Sequence, residues 1–230
     1  MAGRVLRAPP GRGGGEALNA PFSFEDAAAH LRGVDPVVGG LIDRHGPYAP
    51  RVSPDPYARL MTSILFQQLA GNAARAIMRR WLALYGPEGR MPSPQEVLAT
   101  TEEQFRAAGV SRQKAGYIRD LATHIVEGRL NFDRIDELSD EEVIERLTAV
   151  KGIGVWTAHM FLMFHLARPD ILPVGDLGVR NGMRAAYGLE ATPTPKQAAE
   201  IGERWRPYRS VGSWYMWRAA ETVLMPPAAG

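Results

Sequence analysis

Residues 147–158, LTAVKGIGVWTA, form the most informative segment of this sequence. A helical pattern ends near Thr148, and a second helix is predicted from about Gly154. Only a tight turn fits between them, and Gly152 and Gly154 both allow a positive φ and the close approach of another backbone. The segment therefore predicts two helices joined by a glycine turn at 149–154, which we term the hairpin.

The start of the second helix is chemically suited to phosphate. Its first amides have no partner inside the helix and lie at the positive end of the helix dipole. Such a turn binds a phosphate oxygen without a cationic side chain, and Lys151 at the tip adds a positive charge. The same residues also suit a plain connector between packed helices, because a Gly-x-Gly pattern is short.

A second informative segment, LPVGDLGVR at 172–180, follows the hairpin along the chain. Its Pro and Gly residues predict an extended stretch that delivers Asp176 to the start of a new helix. Asp is among the best N-cap residues, so this position by itself needs no function.

The rest of the chain is predicted to be helical. Apolar residues recur with a period of 3.6 in segments such as 56–69 and 111–127, and alternating strand patterns are scarce. The fold class expected is therefore all-α, with about a dozen short helices. Three of the helix starts carry capping boxes, formed by Ser93 with Glu96, Thr101 with Gln104, and Ser139 with Glu142.

Composition excludes several classes of protein. The chain has 230 residues and no cysteine, so disulfide scaffolds, cysteine nucleophiles, zinc–cysteine sites and cysteine-held clusters are ruled out. The formal net charge is only +2, a weak indication of nucleic-acid binding. No apolar run approaches the roughly 20 residues of a membrane span, and the N-terminus lacks the apolar core of a signal peptide. We therefore expect a cytoplasmic protein without a membrane partner.

The predicted organisation is a tail and two helical subdomains that flank a cleft. Residues 1–20 are rich in Gly, Arg and Pro and are predicted to be disordered. One subdomain is predicted to be discontinuous, from 21–53 plus 168–226, and to carry Asp176. The other is predicted at 54–167, with the helix-hairpin-helix motif at about 139–166.

The hairpin and the spaced Asp176 together resemble the helix-hairpin-helix DNA glycosylase superfamily, and most of all its 3-methyladenine DNA glycosylase II branch. The resemblance covers about 57–224. Three further segments agree with it: ILFQQL at 64–69, GVSRQKA at 109–115 and WRPYRS at 205–210. The resemblance implies a monofunctional DNA glycosylase of base excision repair that binds double-stranded DNA, flips out an alkylated base and hydrolyses its N-glycosidic bond.

Two departures from the superfamily pattern refine this expectation. Relatives that also cut the backbone place a nucleophilic Lys two residues after the second hairpin glycine, where this chain has Trp156. Relatives with an iron–sulfur cluster need four cysteines, which this chain lacks. The resemblance thus implies no lyase activity, no iron–sulfur cluster and no cofactor for catalysis. The chain is also expected to be a compact, monomeric form without an N-terminal β domain.

The resemblance assigns roles to individual residues. Asp176 is the expected catalytic carboxylate, which stabilises positive charge on the sugar. An alkylated base carries a positive charge, so aromatic rings suit its pocket. The candidate rings, each of which also suits core packing, are Trp156, Trp217, Trp214 and Tyr215.

DNA contacts are expected from several segments, and the position that fills the hole left by the flipped base corresponds to Gln68. We expect its neighbour Leu69 to belong to the core stripe of the helix. The hairpin is also expected to hold a monovalent cation, Na⁺ or K⁺, through the carbonyls of Thr148, Val150 and Ile153. The candidate DNA-binding residues are Lys151, Gly152, Gly154, Val155, Thr157, Gln67, Gln68, Leu69, Arg112, Lys114 and Arg209.

Three alternatives stay open. The chain could act on oxidised or mismatched purines, it could be a non-catalytic helix-hairpin-helix DNA-binding module, or the Gly-Ile-Gly turn could be coincidental in an all-α protein. The second alternative explains the hairpin but not the matching context of Asp176.

Overall fold

The computed structural model describes residues 22–50 and 54–224, so the tail predicted at 1–20 lies outside the described residues. Within them there are twelve α-helices and no β-strand, which confirms the all-α prediction. The helices are α1 (Phe24–Val34), α2 (Pro36–His45), α3 (Pro56–Phe66), α4 (Gly71–Leu82), α5 (Pro94–Ala99), α6 (Glu102–Ala108), α7 (Arg112–Val126), α8 (Asp140–Thr148), α9 (Val155–Phe164), α10 (Leu177–Tyr187), α11 (Pro195–Gly202) and α12 (Arg209–Leu224).

The described residues divide into two compact units. Unit 1 comprises 22–50 and 166–224, and unit 2 comprises 54–165. Unit 1 is discontinuous and contains α1, α2 and α10–α12, whereas unit 2 contains α3–α9 and the hairpin. None of the described helices combines the length and the hydropathy that a membrane span requires.

Side-chain caps set the start of many helices. The three predicted capping boxes are present at the starts of α5, α6 and α8. A fourth box, which the sequence analysis did not predict, starts α11 and pairs Thr194 with Gln197. Each such cap satisfies amides that the helix leaves unpaired and stabilises the helix by about 1 kcal/mol.

Unit 1 is organised around a buried carboxylate. Asp35 is 1% exposed and caps α2 by accepting hydrogen bonds from the amides of Val37 and Val38. Its second oxygen accepts from Trp205 Nε1 at 2.9 Å and from the Tyr187 hydroxyl. Burial and this carboxylate raise the pKa of Tyr187 well above its usual value. Because donors surround the charge, it is tolerated in the interior and ties α2 to α10 and to the segment before α12.

The helices α10 and α12 pack with their backbones almost in contact. A Cβ at Gly182 of α10 would lie 1.9 Å from the carbonyl oxygen of Met216. One turn earlier, a Cβ at Gly178 would lie 2.8 Å from Cδ1 of Trp217. Residues four apart share a helix face, so these two glycines let the N-terminal end of α10 lie directly against α12.

The core of unit 2 lies among α3, α7 and α9, since α3 contacts both of the other helices. The helical period of the sequence predicted that α3 runs to Leu69 and that Leu69 lies in its core stripe. Both predictions are wrong. The helix ends at Phe66, Gln68 adopts a left-handed φ of 56°, and Leu69 is only half-buried. Fully buried side chains of this core are Leu60, Ile64, Leu65, Ile118, Leu121, Leu162 and Met163.

Candidate functional site

Asp176 is the N-cap of α10, with φ −74° and ψ 120°. Its Oδ1 accepts hydrogen bonds from the Val179 amide at 2.7 Å and from Trp217 Nε1 at 2.9 Å. The first bond is ordinary capping, but the second comes from a different helix, α12, and capping does not require it. The half-buried carboxylate is therefore held in a fixed position by two elements of unit 1.

The segment that leads to Asp176 is fastened to the start of α12. Ser210 is fully buried, and its hydroxyl donates to the Arg168 carbonyl at 2.6 Å and accepts from the Ile171 amide at 2.9 Å. The Ser210 amide donates to the Pro169 carbonyl at 2.9 Å. The motif at 205–210 thus fixes the backbone that delivers the carboxylate.

Arg209 lies in the same motif, and the structure corrects its expected role in DNA binding. Its guanidinium donates to the two carboxylate oxygens of Asp170 at 2.6 and 2.9 Å and to the Asp170 carbonyl at 2.9 Å. The side chain is 18% exposed. A bidentate, mostly buried pair satisfies the guanidinium, so Arg209 fastens the 168–171 segment instead of offering a charge to phosphate.

The candidate pocket rings fall in both units. Trp217 belongs to unit 1, is 9% exposed and directs its indole N–H at Asp176. Trp156 belongs to unit 2, is the second residue of α9 and is 39% exposed. Trp217 therefore presents its indole N–H to Asp176, whereas Trp156 is partly exposed.

The two remaining ring candidates are part of the packing of unit 1. Tyr215 is fully buried and its hydroxyl donates to the Gly46 carbonyl at 2.8 Å, which corrects its expected place in a base pocket. Burial raises the pKa of this hydroxyl above its usual value. Trp214 is half-buried, with the Arg218 guanidinium 4.6 Å from the centre of its ring and the ring of Tyr48 nearly perpendicular to it at 5.5 Å.

The hairpin joins α8 to α9 with one glycine in the left-handed region. Gly152 has a φ of 86°, and a Cβ there would lie 2.3 Å from Cδ2 of Tyr117. Gly154 has φ −100° and ψ 173°, and a Cβ there would meet nothing within 4 Å. Of the two glycines that allow a positive φ, Gly152 adopts one, and Gly154 has a backbone conformation that any residue adopts.

The hairpin leaves main-chain donors available at its tip. The Ile153 amide donates to the Val150 carbonyl at 3.1 Å, and the Lys151 amide donates to Asp120 Oδ2 at 2.8 Å. Among the residues that the structure describes, the amides of Gly152 and Gly154 have no acceptor. These two amides have the character of an anion site.

Side chains around the hairpin differ in access. The Lys151 side chain is 79% exposed, and Val155 is 53% exposed. Thr157 is 6% exposed, so its expected contact with DNA is limited to its backbone amide. Arg112 is exposed in the first turn of α7.

The carbonyls expected to hold a cation suit that role. Thr148 is the last residue of α8, where helix carbonyls have no donor within the helix. The Val150 carbonyl accepts from Ile153 and keeps a second lone pair. Together with the carbonyl of Ile153 they form an all-oxygen set, which is the type that K⁺ and Na⁺ accept.

The segment 67–70, which we term the α3–α4 turn, lies beside the hairpin in unit 2. Gln67 Nε2 donates to the Gly152 carbonyl at 2.8 Å. Lys114 Nζ donates to the carbonyls of Leu65 at 2.6 Å and of Gln67 at 2.7 Å. The turn and the hairpin line a pocket of about 330 Å³ together with Gln113, Lys114 and Tyr117.

Sequence reasoning missed three residues that shape these sites. Tyr117 and Asp120 hold the hairpin, and Asp170 holds Arg209. Each is a single polar or aromatic residue without a local motif, and its partner lies far away along the chain. No signal in the sequence by itself singles them out.

Comparison with known proteins gives a consistent result. The family described as HhH-GPD superfamily base excision DNA repair protein matches residues 61–207. DNA-3-methyladenine glycosylase 1 of Schizosaccharomyces pombe is 35% identical over 86% of this chain and 89% of its own length.

Two solved structures are similar over nearly the whole chain. The DNA-3-methyladenine glycosidase of Bacillus halodurans superposes with a TM-score of 0.78 at 35% identity, covering 90% of this chain and 93% of that one. The 3-methyladenine DNA glycosylase of Schizosaccharomyces pombe in complex with abasic DNA gives a TM-score of 0.77 at 34% identity, covering 89% and 100%.

Proposed function

The chain belongs to the HhH-GPD superfamily of base excision DNA repair proteins, and on this premise we propose that it is a monofunctional DNA glycosylase for alkylated bases of the 3-methyladenine type. Its substrate is double-stranded DNA that contains such a base. The main support for the proposal is that the Asp176 carboxylate is held by hydrogen bonds from the Val179 amide and the Trp217 indole. The names of its relatives support the substrate class.

Hydrolysis of the N-glycosidic bond requires a fixed negative charge beside the sugar. When the bond between C1′ and the base breaks, the base leaves with the electron pair and the sugar gains oxocarbenium character. A pre-positioned carboxylate stabilises that charge and orients the water that attacks C1′. Asp176 meets this requirement because its two donors fix Oδ1 before any substrate binds.

Recognition of the base rests on its charge. Alkylation at a purine ring nitrogen makes the base cationic, and an indole face attracts a cation by 0.5 kcal/mol to about 2 kcal/mol. Trp156, which is 39% exposed, supplies such a face in unit 2. The flipped base leaves a hole in the stack of bases. We assign the filling of this hole to Gln68, which is exposed on the α3–α4 turn.

The lysines of the chain support the absence of lyase activity. Trp156 stands where lyases of the superfamily have their nucleophilic Lys. The chain has three lysines, at 114, 151 and 196. The amine of Lys114 is engaged with two carbonyls, and Lys151 lies at the hairpin tip. None stands in the nucleophile's position, so no Schiff base with the abasic sugar is expected.

The hairpin is proposed to bind the DNA backbone and not the bases, since main-chain amides contact phosphate without reading sequence. A monovalent cation on the carbonyls of Thr148, Val150 and Ile153 would add positive charge there. If such a cation is bound, replacing Na⁺ and K⁺ by a bulky organic cation at constant ionic strength should lower the affinity for DNA. An unchanged affinity would contradict the proposed cation site.

The protein is proposed to act as a monomer in the cellular compartment that contains the DNA.

The proposed function is tested by base release. The intact protein is incubated in excess over duplexes that carry 3-methyladenine, 7-methylguanine, 8-oxoguanine or a mismatch, with borohydride in parallel samples. Release of the methylated bases without a trapped covalent complex is the expected result. DNA binding with no release of any base would indicate a non-catalytic module, and a trapped complex would contradict the monofunctional assignment.

A further inference from the structure

The α3–α4 turn holds a residue in an unfavourable backbone conformation. Gln68 has a φ of 56°, a region that non-glycine residues enter at an energetic cost. Its side chain is exposed, so the conformation serves no packing of that side chain. A strained residue of this kind persists only where its surroundings impose the conformation.

Lys114 is bonded to the backbone that leads into Gln68. Its ammonium donates to the Leu65 and Gln67 carbonyls, on the two sides of the α3 C-terminus, at 2.6 and 2.7 Å. Carbonyls at a helix C-terminus have no intrahelical donor and lie at the negative end of the dipole. Burial lowers the pKa of Lys114 from its usual value, but two charge-assisted hydrogen bonds compensate for lost water.

The same helix also holds the hairpin. The ring of Tyr117, one turn after Lys114, fills the space where Gly152 would carry a Cβ, and Asp120 accepts from the Lys151 amide at 2.8 Å. The Gln67 side chain then links the turn to the Gly152 carbonyl at 2.8 Å. One face of α7 therefore supports both segments that we assign to DNA.

We propose that Lys114 is a positioning residue that fixes the α3–α4 turn so that Gln68 is aimed before DNA binds, and that it is not a phosphate contact. This replaces its expected role as a DNA-binding residue. The inference rests on the proposed function, because the orientation of Gln68 is expected to affect the rate of base release. The charge of Lys114 acts inside the protein, whereas the Lys151 side chain is 79% exposed and makes one long ion pair, 3.8 Å from Nζ to Asp120 Oδ1.

Salt dependence separates the two roles. Each lysine that neutralises a phosphate contributes about one to the slope of log affinity against log salt concentration. Lys151→Met should therefore lower that slope on an abasic duplex. Lys114→Met should leave the slope unchanged and slow single-turnover base release about tenfold. Lys196→Met, the same substitution at an exposed residue of α11, is the matched control and should change neither quantity.

A double-mutant cycle tests whether Lys114 acts through Gln68. If it does, Lys114→Met combined with Gln68→Ala should be no slower than the slower single variant. Lys114→Arg keeps donors for both carbonyls and should recover much of the rate. Additive losses, or a reduced salt slope in Lys114→Met, would overturn the proposal.

Amide hydrogen exchange provides a readout that does not need activity. Lys114→Met should speed exchange in the peptide that covers 66–70 about tenfold and leave the core of α3 at 60–65 protected. Unchanged exchange in the turn would contradict the inference even if catalysis fell. If the wild type releases no base, the proposed function fails, while exchange and abasic-duplex binding still decide the role of Lys114.

Discussion

The hairpin of unit 2 and the Asp176 segment of unit 1 prepare their polar groups in opposite ways. At the hairpin the groups offered are main-chain amides of Gly152 and Gly154, and the conformation is set by a φ of 86° and the ring of Tyr117. At Asp176 the group is one side chain, which two donors hold by a single oxygen.

This difference decides how each region tolerates change. At the hairpin the shape of the backbone is what we expect to bind DNA, so a substitution acts through conformation or by covering amides. At Asp176 the charge is what we expect to act, so charge and shape are separable by one substitution.

The largest effect is expected from Asp176→Asn. The amide oxygen of Asn accepts from Val179 and Trp217 as the carboxylate does, so the cap and the fold are kept. Loss of the negative charge should slow single-turnover base release by about 100-fold or more. The thermal midpoint and the affinity for abasic DNA serve as controls and should stay close to wild type. Release at the normal rate would reduce Asp176 to a helix cap.

Gly152→Ala should break the hairpin through its backbone. An Ala at φ 86° is strained, and its Cβ would lie 2.3 Å from Cδ2 of Tyr117. We expect a loss of about 1–3 kcal/mol in the free energy of unfolding, measured by urea denaturation, together with weaker binding to all duplexes. Unchanged stability would mean that the ring and the turn do not constrain each other.

Trp217→Phe tests the other region by removing a donor and keeping an aromatic ring. Asp176 retains its bond to the Val179 amide, so its charge stays in place but is less firmly oriented. Base release should slow by about tenfold, which corresponds to one hydrogen bond to a charged group. A loss as large as that of Asp176→Asn, or none at all, would contradict an orienting role.

Gly154→Leu is the matched counterpart of the change at Gly152. Its φ of −100° suits any residue and no atom lies within 4 Å of a Cβ, so the free energy of unfolding should change by less than about 0.5 kcal/mol. The new side chain covers the exposed amides, and affinity should fall by a similar factor on duplexes of different sequence. A loss that varied strongly with sequence would indicate base contacts.

Local chemistry made the helices and their starts predictable. Ser93, Thr101 and Ser139 each bond to an amide three residues ahead, so the capping boxes are legible in the sequence and are present. Asp176 at the start of α10 follows from the same rule. The end of α3 was misplaced because Leu69 keeps the helical period even though the chain has turned at Gln68.

Contacts across long stretches of chain were not predictable. Lys114 reaches a carbonyl 49 residues away, and Gln67 reaches one 85 residues away. Arg209 looked available for phosphate in the sequence, but Asp170 neutralises it. Whether an Arg or a Lys faces DNA or the protein depends on which carboxylate or carbonyl the fold brings to it.

The helical class, the glycine hairpin and the carboxylate at the start of α10 follow from local sequence, because each depends on residues within a few positions of one another. The packing of the folded helices is what lets Trp217, 41 residues from Asp176, donate to it, and what places Tyr117 in the space that Gly152 leaves open. Such contacts depend on how helices pack, and packing satisfies the volume and hydrogen bonds of a whole unit at once. No short segment of sequence contains that information.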